Sequence, residues 1–355
     1  MGKIRRMFPG GNTANGFYSF HDNIMGPDRN KLYVLKGMPG GGKSSLMKYI
    51  AERVLKKGFS VEYHHCPSDP QSIDGIVIEE LNIGIVDGTA PHIIDPVYPG
   101  LTDRLIDLGQ FIDEEKLLNS KDRIIKAKLN NKKAYGKAFA YFKAAKIVFG
   151  IIEENNKIGV DFNGVNKETS QLTDEIFAKK GEKRDSPFKE RHLFSNANTP
   201  EGFADYTEFI LEGIETVYYL EGEIGTGKST LLNRLIEESK IRGYHLEIYH
   251  NSTIPEKIET LIIKDIDTCI TSNKYGVKYA DKKIDLNKYF DDKIKNSDDY
   301  KTYELLIKKA IASLVNASEN HQILEKTYKP VVDYGGVNRI REELLKEILD
   351  HVDYN

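Results

Sequence analysis

Apolar and polar positions along the chain fall into short runs that recur twice in the same order. Leu32, Tyr33, Val34 and Leu35 form one β-branched and aromatic run, and Thr216 to Leu220 form another. Runs of this length and composition predict buried strands. Each leads through a glycine-rich stretch into helical spacing, opened by residues 45–50 in the first case and 230–235 in the second. Residues 75–78 and 83–86 are apolar and close enough to predict a hairpin around Glu80, Leu81 and Asn82. Tyr135, Ala138, Phe142, Ala145, Phe149 and Ile152 alternate spacings of three and four, which predicts a long helix burying one face. The expected fold class is α/β: two tandem domains, each a mostly parallel sheet with one antiparallel addition, flanked by helices and followed by a helical tail.

The repetition extends well beyond these runs. Residues 8–17 and 194–203 share the pattern F-x-x-x-N-T-x-x-G-F. Residues 57–65 answer 242–250, residues 106–108 answer 284–286, and residues 160–166 answer 332–338. A period of about 185 residues is too long for a solenoid and implies a duplicated domain. The charged, apolar-poor stretch 179–187 reads as the join, giving domains 1–185 and 186–355.

The glycine-rich stretches carry the candidate chemistry. Gly37, Met38, Pro39, Gly40, Gly41, Gly42, Lys43 and Ser44 match G-x-x-x-x-G-K-[ST], as do Gly222 through Gly225, Thr226, Gly227, Lys228 and Ser229. Backbone N–H groups at the positive end of a helix bind a polyphosphate without side-chain charge, and glycine lets the backbone come close. Lys43 and Lys228 are placed to reach the phosphates, Ser44 and Ser229 to hold Mg²⁺, and Ser45 and Thr230 follow in the helices.

A second metal-holding acid is expected at the end of an apolar strand. Residues 83–87 end in Asp87, followed by Gly88, Thr89, Ala90, Pro91 and His92, whereas the partner of Asp87 in the second half is Ser272. Catalysis is therefore expected mainly at the first site, with Lys43 and Asp87 as its main residues. Asp69 is either a water- or proton-directing acid or part of an ordinary Ser-Asp-Pro turn, and His92 is either a γ-phosphate sensor or structural. Zinc at His64, His65 and Cys66 is excluded, because adjacent strand residues point to opposite faces and no second cysteine pair exists. Arg5, Arg6, Arg104, Arg191 and Arg339 are candidates for an arginine finger. The repeated N-T-x-x-G-F pattern reads either as an adenine wrap or as a turn at the start of each domain.

Charge is concentrated at one place. The 355 residues carry a net charge of −3, but residues 116–150 hold nine lysines and Arg123 against one acid, Asp122. This basic helical segment, about 116–156, reads as a solvated face, a lid over nucleotide, or a patch for an acidic partner or nucleic acid. Two cysteines do not make a disulfide framework, and no apolar run has the length of a signal peptide core or a membrane span, so a cytoplasmic protein without membrane contact is expected.

The two loops, the Asp87-to-His92 segment and the repeated N-T-x-x-G-F pattern resemble a bacterial family of tandem P-loop proteins, over the whole chain. That family is usually described as ATPases or ATP-binding proteins. The resemblance implies ATP and Mg²⁺ as ligands. It also implies the superfamily's lysine, hydroxyl and aspartate roles for Lys43, Ser44 and Asp87; in the second half it reaches only Lys228 and Ser229. The functions expected of two tandem P-loop NTPase domains are Mg-dependent ATP hydrolysis mainly at the first site, with the second site binding nucleotide in a regulatory or structural role. The alternatives are a small-molecule or nucleotide kinase, a nucleotide-gated switch, or a nucleic-acid-associated ATPase. The absence of an N-K-x-D guanine signature favours ATP.

Overall fold

The computed structural model describes residues 2–178 and 189–351. The expected join at 179–187, and with it the division at 185/186, lies outside the described residues. In the first half, strands β1 (Ile4–Met7), β2 (Gly10–Thr13), β3 (Gly16–Ser19) and β4 (Lys31–Lys36) precede helix α1 (Lys43–Lys56). Strands β5 (Val61–Cys66), β6 (Asp69–Ile78), β7 (Ile83–Asp87) and β8 (Asp103–Asp107) follow, then α2 (Glu114–Leu118), α3 (Lys121–Lys157) and α4 (Phe162–Phe177). The second half repeats the order: β9 (Glu190–Leu193), β10 (Asn196–Thr199), β11 (Gly202–Asp205), a short α5 (Thr207–Leu211) and β12 (Thr216–Glu221). Next come α6 (Lys228–Ile241), β13 (Leu246–His250), β14 (Ile258–Ile263), β15 (Thr268–Thr271), β16 (Lys282–Asp285), α7 (Ser297–Tyr328) and α8 (Tyr334–Asp350).

The protein is α/β, with two mixed six-stranded sheets flanked by helices. The first sheet runs β1-β5-β6-β7-β4-β8, and the second runs β9-β13-β14-β15-β12-β16. In each, five strands are parallel and one, β6 or β14, is antiparallel to its neighbours. The expected hairpin is β6–β7, turning through Glu79 to Asn82. Among the described residues no helix is long and apolar enough to cross a membrane.

The helical tails do not stay with their own sheets. Asp161 caps α4 by accepting from the Asn163 N–H at 3.1 Å. Val165, Thr169, Leu172, Thr173 and Ile176 then form one buried stripe. Leu172 and Ile176 pack with Tyr218, Leu220, Leu231 and Leu235 of the second sheet and α6. Reciprocally, Asp333 caps α8, and Val337, Leu344 and Ile348 pack with Tyr33, Leu35, Leu46 and Ile50 of the first sheet and α1. Each half thus completes the other's core. The crossing is made by α3 and α7, which pack along each other through Ala138, Phe142, Ala310 and Leu314.

A pseudo-two-fold axis relates the halves. Phe8 and Phe194 exchange both backbone hydrogen bonds, at 2.9 and 3.0 Å, so the contact is isologous. The N-T-x-x-G-F pattern is the hairpin β2–β3 or β10–β11, in which Thr13 and Thr199 close the turn onto Gly16 and Gly202. Asn12 donates across the axis to the Asn198 carbonyl at 3.0 Å, and Asn198 returns the bond at 3.5 Å. These buried amides bond across the interface, and the pattern forms a turn at the start of each half. Beside them Arg5 and Arg191 each reach both Glu62 and Glu247, the closest contacts being 2.6 Å.

Candidate functional site

The first glycine-rich loop is shaped by its place between β4 and α1. Gly42 stands at φ +89° directly before the helix, a conformation unfavourable for any residue with a Cβ. The first turn of α1 receives no side-chain cap, which leaves its amides and the positive helix end toward the loop. Lys43 curls back, donating to the carbonyls of Gly37 and Met38 at 3.0 Å each, and lies 3.6 Å from Asp87 Oδ2. Asp87 ends β7 beside β4, and its Oδ1 accepts from the Thr89 N–H at 2.8 Å. The Thr89 hydroxyl donates to the Gly37 carbonyl at 3.2 Å, tying the strand end to the loop. Ser44 Oγ accepts from the Ile73 N–H of β6 at 3.1 Å.

The other half covers this loop. Tyr334 donates to the Gly40 carbonyl at 2.8 Å, and a Cβ at Gly40 would stand 3.0 Å from Lys329 Cγ. The second loop mirrors the first. Gly227 has φ +99° before α6, and Lys228 bonds the Gly222 carbonyl and the Glu223 carbonyl, the latter at 2.7 Å. Asn156 of α3 donates to the Ile224 carbonyl at 2.8 Å, so this loop too abuts a helix from the opposite half. Burial, only partly offset by Glu223 and other acids, lowers the Lys228 ammonium to about 8.

The halves differ behind the loops. In the first, His92 Nε2 lies 3.8 Å from Asp74 Oδ1 and 4.0 Å from Asp87 Oδ2, inside ion-pair range and beyond a hydrogen bond. His21 Nε2 lies 3.3 Å from Asp74 Oδ2, and its ring stacks on His92 at 4.5 Å. Burial opposes the His92 cation, but Asp74 and Asp87 outweigh it and raise its affinity for a proton. Burial likewise opposes ionisation of Asp74, yet His92 and His21 hold its carboxyl down to about 2. In the second half Ser272 carries no charge and donates to the Glu259 carbonyl at 3.2 Å. Glu259 occupies in β14 the position Asp74 occupies in β6; it accepts from Asn196 at 2.6 Å, and burial pushes its carboxyl up to about 7.

The remaining candidates make other contacts. Asp69 serves its own turn, accepting from the Gln71 N–H and the Ser72 hydroxyl. Arg5 and Arg191 are engaged at the axis, Arg6 contacts His65, Arg104 pairs with Glu347, and Arg339 lies 3.8 Å from Asp333. The basic helix is broken at 119–120, so α3 proper begins at Lys121. Its buried face includes Ala138, Phe142, Ala145 and Ile152, while Lys126, Lys132, Lys133 and Lys137 are exposed. Sequence reasoning passed over His21, Asp74 and Glu259. The available signal was divergence between the copies, since the aligned partners of His21 and Asp74 are Thr207 and Glu259. Comparison of the chain with protein-family models, with curated proteins and with solved structures found no match.

Proposed function

We propose that the chain is a tandem P-loop protein that binds a nucleoside triphosphate, ATP, at both glycine-rich loops and hydrolyses it mainly at the first. The observation that carries this reading is the convergence of Lys43, the uncapped start of α1 and Asp87 on one loop. Amides and a lysine at a helix N-terminus suit a polyphosphate. Magnesium, held by Ser44 and Asp87, would neutralise charge on the transferred phosphoryl group. Lys43 would leave its carbonyl partners for the phosphates, and the loop amides would orient them. His92, within 4.0 Å of Asp87, would hold that carboxylate and respond to charge arriving beside it. The second loop, with Ser272 in place of the acid, would bind nucleotide with little turnover.

The exchanged helices favour a regulatory role for that second site. Each loop touches a helix of the opposite half, Tyr334 on one side and Asn156 on the other, so nucleotide at either loop bears on both halves. The exposed lysines of α3 give an acidic partner or nucleic acid a place to act on the same coupling. The test is phosphate release by the wild type, Lys43→Ala, Asp87→Ala and Lys228→Ala, with and without single-stranded nucleic acid. Loss in the first two variants and survival in the third is expected. The reverse pattern assigns turnover to the second half, strict dependence on an added acceptor indicates a kinase, and binding without turnover leaves a switch.

A further inference from the structure

We propose that His21, Asp74 and His92 form a binding site for one divalent transition-metal ion, distinct from the magnesium position at Ser44 and Asp87. The three side chains are at least nine-tenths buried and offer ligand atoms all within 4.8 Å of one another. They come from three places: the turn after β3, the middle of β6, and the loop beyond β7.

The spacing of the three groups suits an ion. Ligands at about 2.0–2.1 Å in a tetrahedral shell lie roughly 3.3–3.4 Å apart. His21 and Asp74 are at 3.3 Å, and His92 and Asp74 at 3.8 Å. Ser19 Oγ bonds His21 Nδ1 at 2.8 Å, which occupies that nitrogen and directs Nε2 toward Asp74. Such an outer hydrogen bond is what fixes the tautomer of a metal-ligating imidazole. His92 is a buried imidazole with neither ring nitrogen hydrogen-bonded among the described residues. Buried polar groups seldom lack partners, and an ion would give this one its partner. The adjustment required is a tilt of the His92 ring out of its stack on His21, which no hydrogen bond opposes.

Two imidazoles and one carboxylate select zinc- or iron-class divalent ions over magnesium or calcium, which prefer oxygen shells. Three protein ligands leave positions open for water or a substrate oxygen. Copy two has Thr207 and Glu259 at the positions of His21 and Asp74, so it cannot reproduce the site. This proposal does not depend on nucleotide binding; an ion on His92 would displace its contact with Asp87, so the role proposed above for His92 toward Asp87 belongs to the metal-free chain.

The test uses the full chain, stripped with chelator and titrated with Co²⁺ and Zn²⁺. Co²⁺ should give visible d–d absorption that saturates at one ion per chain, and Zn²⁺ should raise the melting temperature and displace it. His21→Ala and His92→Gln should abolish the band, Ser19→Ala should weaken binding about 10- to 100-fold, and His192→Gln should leave it unchanged. Circular dichroism checks that each variant is folded. Should a ligand variant fail to fold, the wild-type saturation and the Ser19→Ala shift still decide. A stripped wild type that takes up no ion, or uptake that survives in folded His21→Ala and His92→Gln, overturns the site and leaves a proton-bridged cluster.

Discussion

Leu344 lies in the second half of the sequence, and the exchange of helices makes it part of the first core. It is 1% exposed on α8, among Leu46, Ile50 and Leu35. Leu344→Ala removes buried methyl groups and leaves a cavity; such changes cost about 2–5 kcal/mol. At 2–3 kcal/mol, local opening of the core it supports becomes roughly 30- to 160-fold more frequent. Amide hydrogen exchange followed by mass spectrometry locates that effect. Residues 31–36 and 43–56 of the first sheet and α1 should lose protection, while 216–221 and 228–241 keep theirs. Leu172→Ala, 2% exposed on α4, should produce the mirror image. If Leu344→Ala loosened the second core and spared the first, the exchanged packing would be wrong.

Other consequences follow from the axis and from the second loop. Arg191 donates to both oxygens of Glu62, at 2.6 and 2.9 Å, and to the carbonyls of Asn23 and Ile24. Arg191→Ala strands buried acceptors and should cost about 3–5 kcal/mol in a denaturant titration, whereas a loss under about 1 kcal/mol would mean the cluster is effectively solvated. In a Lys43→Ala background, nucleotide affinity reports on Lys228 alone. Because burial lowers that ammonium to about 8 and the protonated form is the one that holds phosphate, affinity should be flat below pH 8. Above pH 8 it should fall by up to about tenfold per pH unit, and a flat profile to pH 10 would show that Lys228 does not contact the phosphates.

Local features were legible in the sequence because local chemistry writes them there. The strand before Gly37, the helix after Lys43 and the β6–β7 hairpin follow from short apolar runs and turn residues. The buried stripe of α3 follows from its spacing, and Asp87 from its place at a strand end. What sequence could not supply was the partner of each face. The stripe Val165, Leu172 and Ile176 says that α4 buries one side, but either sheet would satisfy it, and duplication makes the two sheets alike. Arg5 and Arg191 look like free cations until the fold brings Glu62 and Glu247 across the axis. His21 and Asp74 are 53 residues apart and meet only because the turn after β3 lies against the middle of β6.

Calorimetric titration of the pure chain with ATP and magnesium tests the proposal that both glycine-rich loops hold triphosphate. The wild type should bind two equivalents, Lys43→Ala and Lys228→Ala one each, and the double variant none. A wild type that releases no heat and shows no binding at any temperature tried, or a double variant that binds as well as the wild type, would contradict the account.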